Sequence, residues 1–531
     1  MGRVMELKNI NKIEAATTES RGEFFRLGTA LLFIVGVMLY TGVRGEAPVN
    51  YMLVIAAMIG GYMAMNIGAN DVANNVGPAV GSKALTLTGA IVIAAIFEAS
   101  GALIAGGEVV GTIRKGIIDP ALISDPNTFV WLMMAALLAG ALWLNVATVM
   151  GAPVSTTHSI VGGVLGAGIA AGGWGIADWG KVGAIAASWI ISPLMGGLIA
   201  AAFLLLVKRT ITYKKEMLVA AKRMVPLLVG VMVWAFSTYL ILKGLKKIWK
   251  VDFVTAFSIG LAIAVLAIVV VRPLVARAAE LYPNEKSSVN RLFTLPLIFA
   301  AALLSFAHGA NDVANAVGPL AAIYDVISHG GAEVSTKAAI PLWVMMVGAI
   351  GIAVGLALYG PKLIRTVGTE ITEMDQMRAY CIAMAAAITV IIATQMGLPV
   401  SSTHIAVGGV FGVGFLREYI KASYARMVED IKAHHPDGDQ AAIEAFLIDF
   451  KDASVDEKGR MLAELKQRAK EQTDPAHLTK RERKDLRKVY RQELVKRSHL
   501  LKIAAAWIIT VPVSAAIAAM IFFMIRGIML P

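Results

Sequence analysis

Long apolar runs separated by short polar connections make up most of the chain. Eleven runs are long enough to cross a bilayer as helices, because one crossing needs about 17–25 predominantly apolar residues. They are predicted at 27–43, 51–80, 85–107, 129–151, 181–207, 225–242, 253–271, 292–322, 339–360, 379–397 and 500–525. The pattern therefore predicts an all-α polytopic membrane protein.

Two of these runs contain the same polar segment. Residues 68–78 read Gly-Ala-Asn-Asp-Val-Ala-Asn-Asn-Val-Gly-Pro, and residues 309–319 match them at ten of eleven positions. A charge at mid-bilayer costs about 3 kcal/mol unless it is paired or lines a wet cavity, so a duplicated polar segment indicates function. Its glycines and proline should interrupt the helix. The backbone groups freed at such a break in a membrane helix can bind ions. The candidate ligands are Asn70, Asp71, Asn74, Asn311, Asp312 and Asn315.

A second duplicated segment is rich in Ser, Thr and Gly. Residues 151–166 match 397–412 at eleven of sixteen positions. Pro153 and Pro399 predict that the hydroxyls after them lie in the first turn of a half-helix, where N–H groups and the helix dipole favour an anion. The Gly-Gly pairs at 162–163 and 408–409 are interpreted as sites of close helix packing. The candidate anion ligands are Ser155, Thr156, Thr157, Ser401, Ser402 and Thr403.

Composition excludes several other classes of protein. With 57% apolar and 16% charged residues and a mean hydropathy of +0.68, the chain falls outside the soluble globular class. Cys381 is the only cysteine, which excludes a disulfide within the chain and a thiolate metal cluster. The net charge of +12 comes from Lys and Arg in loops, as expected near anionic lipid, so no nucleic acid is expected as a partner.

The charged segments divide the chain into regions. Residues 1–26 lack the apolar core of a signal peptide and are predicted to be a cytoplasmic arm ahead of a first span at 27–43. The predicted insertion at 417–499 is a charged cytoplasmic helical appendage, either regulatory or simply solvated, with a capping box at Thr479–Glu482. The remaining regions are a first repeat at 51–207, a linker with two helices at 208–291, a second repeat at 292–416 and a final helix at 500–531.

Two topologies fit these regions. The basic segments 208–223 and 417–499 should share the cytoplasmic side. They do so if each Ser-rich segment is one interrupted crossing, which gives about 12–13 transmembrane segments and inverted repeats. If these segments instead enter and leave the membrane on the same side, the repeats are parallel. The first topology is preferred, although it places four lysines on the outer side of the membrane, against the charge rule. These are Lys243, Lys246, Lys247 and Lys250.

The two motifs together offer neutral donors for an anion and oxygen ligands for a hard cation such as sodium, at Asp71 and Asp312. Neither motif contains Lys or Arg, so co-bound cations would have to neutralise the anion. A proton on hydrogen phosphate can be donated to a carboxylate, whereas sulfate has none to donate, and this favours phosphate. The prediction is a transporter without catalytic residues or a cofactor, other than co-transported sodium or protons.

Several alternatives remain. Glu98, within a predicted span, is interpreted as a cation-coupling group rather than an interfacial ion-pair partner. His158 and His404 are interpreted as structural hydrogen-bonding partners rather than proton carriers. A passive anion channel, or a hydrolase that uses Ser155 with His158, would be functions of a different class. The polar residues could also serve helix packing alone.

The two motifs and Thr112–Ile117 closely resemble the inorganic phosphate transporter (PiT) family, over nearly all of both membrane halves. The resemblance implies an inverted-repeat secondary transporter with discontinuous helices or hairpins, often a homodimer, that moves phosphate by symport with sodium. Some bacterial relatives use protons and metal phosphate, and some members carry sulfate. It also implies multi-pass insertion in a bacterial or archaeal inner membrane. A loose alignment puts Ala349 at the position equivalent to Glu98, so coupling through Glu98 would be asymmetric.

Overall fold

A computed structural model of the chain describes residues 2–44, 50–123, 125–152, 154–244, 251–328, 340–369, 374–432 and 497–529. Within these ranges it contains seventeen α-helices and no β-strand. The helices are α1 (Gly2–Arg44), α2 (Tyr51–Asn70), α3 (Ala73–Gly81), α4 (Leu87–Ala105), α5 (Gly107–Lys115), α6 (Pro126–Met150), α7 (Thr156–Gly172), α8 (Trp179–Val207), α9 (Met217–Tyr239), α10 (Phe253–Glu280), α11 (Lys286–Leu292), α12 (Thr294–Asp312), α13 (Ala314–Ser328), α14 (Leu342–Thr369), α15 (Gln376–Gln395), α16 (Ser402–Lys432) and α17 (Arg497–Met529).

The predicted membrane spans are confirmed as helices. Eleven stretches of the described residues are long and apolar enough to cross a membrane, and each coincides with one of the eleven predicted runs. The Ser-rich helices α7 and α16 are additional to these eleven. Most of the insertion predicted at 417–499 lies outside the described residues.

At the amino end, the predicted arm and the span after it form one helix. Helix α1 runs without interruption from Gly2 to Arg44, and its apolar part begins at Gly22. The first 47 residues contain no proline, so the helix of the span can continue into the polar residues before it.

The two halves of the chain are interleaved. Helix α2 of the first half packs on α14 of the second, and α12 of the second packs on α4 of the first. In the same way α7 packs on α17 and α16 packs on α8. The most apolar window of the α12–α13 pair is 89% buried, whereas that of α10 is 17% buried. Among the described residues, the broken helices therefore lie at the centre and α10 lies at the periphery.

Close backbone contacts at glycines set the register of the interleaved helices. A Cβ atom on Gly68 would lie 1.9 Å from the carbonyl oxygen of Ile352, and one on Gly309 would lie 2.1 Å from that of Glu98. Since Gly68 and Gly309 are equivalent in the repeated motif, Ile352 is equivalent to Glu98. The expectation that Ala349 is the counterpart of Glu98 was therefore wrong, because sequence similarity is too weak there to fix the register.

The Gly-Gly pairs have the packing role that the sequence predicts. A Cβ on Gly162 would lie 2.6 Å from the carbonyl oxygen of Val511 on α17, and one on Gly408 would lie 2.3 Å from that of Pro193 on α8. Small residues at such contacts allow membrane helices to approach closely without steric conflict.

We expect Gly355→Ala to destabilise the protein by about 1–3 kcal/mol, the usual cost of forcing extra atoms into a packed core. The added Cβ would lie 1.8 Å from the carbonyl oxygen of Met65, which a side-chain rotation cannot relieve. Thermal unfolding of the purified protein measures the effect. Gly36→Ala is the control, because that position has no heavy atom within 4 Å of its Cβ site, and equal melting temperatures for the two variants would contradict the packing argument.

Candidate functional site

The repeated Asn-Asp motifs lie where two helices are interrupted, as the sequence predicts. Helix α2 ends at Asn70 and α3 begins at Ala73, while α12 ends at Asp312 and α13 begins at Ala314. The two aspartates therefore stand at the breaks, and both side chains are fully buried. Each carboxylate is thus held at the point where the helix no longer satisfies all of its own backbone groups.

The Ser-rich segments begin half-helices in the predicted way. Ser155 is the N-cap of α7, and its Oγ accepts a hydrogen bond from the backbone N–H of His158 at 3.1 Å. Ser401 has the same relation to His404 at 3.3 Å. The following hydroxyl residues therefore occupy the first helical turn, where backbone N–H groups lack acceptors within the helix.

All four motif copies meet at one place. Asp71 Oδ2 accepts a hydrogen bond from Thr156 of its own half at 2.6 Å, and Asp71 Oδ1 accepts one from Thr403 of the other half. Asn74 Nδ2 donates to Thr403 at 2.8 Å. Asn315 Nδ2 donates to Thr156 at 3.1 Å and to Thr157 at 3.2 Å. The structure thus joins the candidate cation and anion ligands of both halves into one buried polar site.

The first asparagine of each motif has different partners from the second asparagine. Asn70 Nδ2 donates to Thr148 Oγ1 at 3.0 Å and to the carbonyl of Ala152 at 3.1 Å. Asn311 Nδ2 repeats this with Thr394 at 2.9 Å and with the carbonyl of Leu398 at 3.2 Å. These amide nitrogens therefore hold the helix break against the loop before each Ser-rich helix.

The second aspartate is connected to a buried polar chain. Ser402 Oγ donates to Asp312 Oδ2 at 3.0 Å, and His308 Nε2 lies 2.8 Å from the same oxygen, at ion-pair distance. His308 Nδ1 lies 2.6 Å from Glu98 Oε2, and Asn75 Nδ2 donates to Glu98 Oε1 at 2.8 Å. Glu98 therefore reaches the site through His308.

Sequence reasoning missed His308 and the contact of Asn75. Two signals could have found them. His308 lies one helical turn before Asp312 in an apolar run, and Asn75 stands at the single position where the two motif copies differ. Thr148 and Thr394 were also missed. They are equivalent threonines that lie just before the two Ser-rich segments.

The chemistry of the site suits a hard cation. Ligand atoms of Asp71, His308 and Asp312 lie within 4.8 Å of one another. Carboxylate and amide oxygens are the ligands that such cations prefer. Among the described residues, several buried side-chain oxygens of the site accept no hydrogen bond, which costs about 1–3 kcal/mol for each if nothing fills it. These are the Oδ1 atoms of Asn74, Asn75, Asn311, Asp312 and Asn315.

The two histidines of the Ser-rich motifs lie in an aromatic cluster, in which only the rings of His404 and Trp507 are stacked. The ring centroids of His158 and Trp189 are 3.8 Å apart, those of His158 and His404 are 4.4 Å apart, and those of His404 and Trp507 are 3.5 Å apart. Ser155 Oγ contacts the backbone of His158 rather than its ring. This is the geometry of a helix cap, not of a nucleophile beside its base.

The Thr-Ile-Arg-Lys segment forms α5 and ties the Ser-rich loop to a broken helix. Thr112 Oγ1 donates to the carbonyl of Gly397 at 2.7 Å. Arg114 forms a buried ion pair with Asp325 near the end of α13. Both contacts join residues of the two halves, so this segment fixes the Ser-rich loop of the second half relative to the first.

Three comparisons agree on the family. The model of the phosphate transporter family matches residues 67–518. A protein of Helicobacter pylori strain J99, described as a candidate phosphate permease, is 53% identical over 524 residues, covering 98% of each chain. One from Pyrococcus abyssi with the same description is 38% identical over 379 residues, covering 71% of this chain and 92% of the relative.

A solved structure supports the same assignment. A protein described as the sodium-dependent phosphate transporter has 30% sequence identity to this chain and a TM-score of 0.73, covering 90% of this chain and 100% of that one. The family match covers the break in each of the two interrupted helices and both Ser-rich helices, so it includes all residues of the buried polar site. The chain belongs to the phosphate transporter family.

Proposed function

We propose that the protein takes up inorganic phosphate by symport with sodium. The observation that carries the proposal is the meeting of two buried carboxylates with hydroxyls of both Ser-rich helices, at Asp71 in particular. The structural relative described as sodium-dependent supports sodium as the coupling ion.

The charges of the site explain why anion and cation would bind together. Phosphate would lie on the hydroxyls and first-turn N–H groups of α7 and α16, which are neutral donors. Neither motif contains a basic residue, so an anion beside Asp71 and Asp312 would be repelled unless cations were bound there. Sodium at these carboxylates would remove the repulsion, and each ion would therefore raise the affinity for the other.

The interleaved packing supports a cycle in which the two halves move around this central site. We propose that the halves are inverted repeats, that the protein is a homodimer, and that it lies in the inner membrane of a bacterium or archaeon. Coupling to protons, with phosphate or metal phosphate as the substrate, is the alternative within the family.

In proteoliposomes, labelled phosphate should accumulate above its equilibrium distribution when an inward sodium gradient is imposed. A proton gradient alone should give only equilibration, because the proposed cation sites are oxygen ligands suited to sodium. Applying each gradient separately measures this. Accumulation with the proton gradient alone would show that protons rather than sodium drive uptake. Equilibration without accumulation under both gradients would indicate a channel.

Arsenate should compete with phosphate much better than sulfate does. Hydrogen arsenate and hydrogen phosphate can both donate a proton to a carboxylate, whereas sulfate can only accept and would be repelled. Inhibition of labelled phosphate uptake by each oxyanion at equal concentration measures the difference. Equal inhibition by sulfate and arsenate would show that the aspartates do not select the substrate.

Asp71→Asn and Asp312→Asn should each reduce coupled uptake to background while the protein stays folded. Asn is nearly isosteric with Asp, so packing is preserved, but the charge that holds a cation and the full acceptor strength for a phosphate proton are lost. Phosphate affinity should also fall, and added sodium should restore it only in part. Uptake is normalised to folded, detergent-extracted protein.

The same measurement separates transport from a capping role. If the aspartates only capped the broken helices, the variants would be less stable but would transport normally per folded molecule, because Asn caps helices as well as Asp does. Near-normal normalised uptake in both variants would therefore remove the aspartates from the mechanism.

A further inference from the structure

The buried chain of Asn75, Glu98 and His308, named here the brace, exists in one half of the site only. The register set by Gly68 and Gly309 places Ile67 at the position equivalent to His308 and Ile352 at the position equivalent to Glu98. The motif repeat places Ala316 at the position equivalent to Asn75. Three polar residues in contact with one another therefore correspond to three apolar ones, and all six are buried: Asn75, Glu98, His308, Ala316, Ile352 and Ile67.

Packing alone does not require the brace. A buried carboxylate or imidazole is costly without its partner, so the three polar residues are stable only as a set. Apolar residues at the equivalent positions show that the same helix contacts form without any charge. Well-packed apolar residues are often as stable as a buried ion pair or more stable, so stability does not explain the polar version.

The half with the brace has a different arrangement of ligand oxygens. Asp312 Oδ2 is contacted by Ser402 and His308, and among the described residues Asp312 Oδ1 has no hydrogen-bond donor. In the other half, both oxygens of Asp71 accept hydrogen bonds from threonine hydroxyls. Thr157, which is equivalent to the Thr403 that contacts Asp71, donates instead to the carbonyl of Val400.

The neighbouring amides show the same inequality. In the second motif, Asn311 Oδ1 and Asn315 Oδ1 accept no hydrogen bond from any described residue. In the first motif Asn70 Oδ1 accepts one from the backbone N–H of Val154 at 3.0 Å, whereas Asn74 Oδ1 has no donor among the described residues. Asn75 Oδ1 has none among them either, but Asn75 has no amide counterpart in the second motif, where Ala316 stands. The second motif therefore presents three buried oxygens available to a cation, and the first presents one at the equivalent positions.

We propose that the two cation half-sites, one at each aspartate, are unequal. The brace holds Asp312 with one oxygen open, so the second motif binds sodium before phosphate arrives. The half-site at Asp71 is complete only when phosphate is bound. Glu98 and His308 are positioning residues in this arrangement, and Asn75 orients Glu98. The hydrogen bond from Thr403 occupies one lone pair of Asp71 Oδ1 and so leaves that oxygen less available to a cation than Asp312 Oδ1. The inference rests on the sodium coupling proposed above.

The test is direct binding of radioactive sodium to the purified protein in phosphate-free buffer, with choline replacing sodium. Asp312→Asn should weaken sodium binding far more than Asp71→Asn does. Glu98→Gln and the triple variant Asn75→Ala, Glu98→Ile, His308→Ile should weaken it about 10- to 100-fold, the range found when residues behind a metal ligand are changed. The triple variant introduces the apolar residues that the chain already uses in its other half.

Two controls separate positioning from folding. Ile352→Leu and Ile67→Leu change the equivalent positions of the half without the brace and should leave sodium affinity unchanged. Melting temperature and gel-filtration profile in sodium-free buffer identify any variant that has not folded. If the triple variant fails to fold, Glu98→Gln decides the matter. A role in stability alone predicts that folded Glu98→Gln binds sodium as the wild type does.

The outcomes distinguish this inference from the proposed function. Equal loss of sodium binding in Asp71→Asn and Asp312→Asn, or unchanged affinity in folded Glu98→Gln, would overturn the unequal half-sites and leave sodium symport intact. If the wild type bound no sodium at any concentration, with or without phosphate, sodium coupling itself would be wrong and the inference would fall with it.

Discussion

The structure depends on keeping two carboxylates, Asp71 and Asp312, buried without a basic residue in either motif. Burying a charge is costly unless it is paired and hydrogen-bonded. The fold meets part of this cost with hydroxyls from the Ser-rich helices and, on one side, with His308. In the proposed symport, a bound cation would offset the remaining cost, and an anion on the neighbouring donors would strengthen the attraction for that cation. Coupling between the two ions would then follow from this electrostatic balance.

Small residues make this arrangement possible because they bring interrupted helices of opposite halves close together. At Gly68, Gly309 and Gly355 the neighbouring carbonyl oxygen occupies space that any side chain would need. These contacts place each broken helix against a continuous helix of the other half, so the position of each aspartate depends on the partner half. A displacement of one half would therefore change the surroundings of both carboxylates, which is what alternating exposure of a central site requires.

The sequence was sufficient to predict the features that are duplicated or periodic along the chain. The eleven spans follow from apolar runs of the right length, and the helix breaks and half-helix starts follow from glycine, proline and hydroxyl residues in duplicated motifs. The amino-terminal helix was placed less well, because no local signal marks where a span ends and a polar helix continues, as at Gly22. The exact pairing of Glu98 with His308 could not be predicted, because these residues are 210 positions apart and only the tertiary register brings them together.

The comparison of the two halves also bears on how a duplicated transporter can be asymmetric. The candidate substrate ligands come from both halves and contact one another across the site, as Asn74 does with Thr403 and Asn315 with Thr157. Changing one copy of such a ligand would disturb the shared anion site. The brace reaches the site at Asp312 Oδ2, and the contacts that join its members involve none of these four shared ligands, so it could arise in one half without altering them. Symmetry is therefore retained where candidate ligands of both halves contact one another, and it is lost where each carboxylate has its own surroundings.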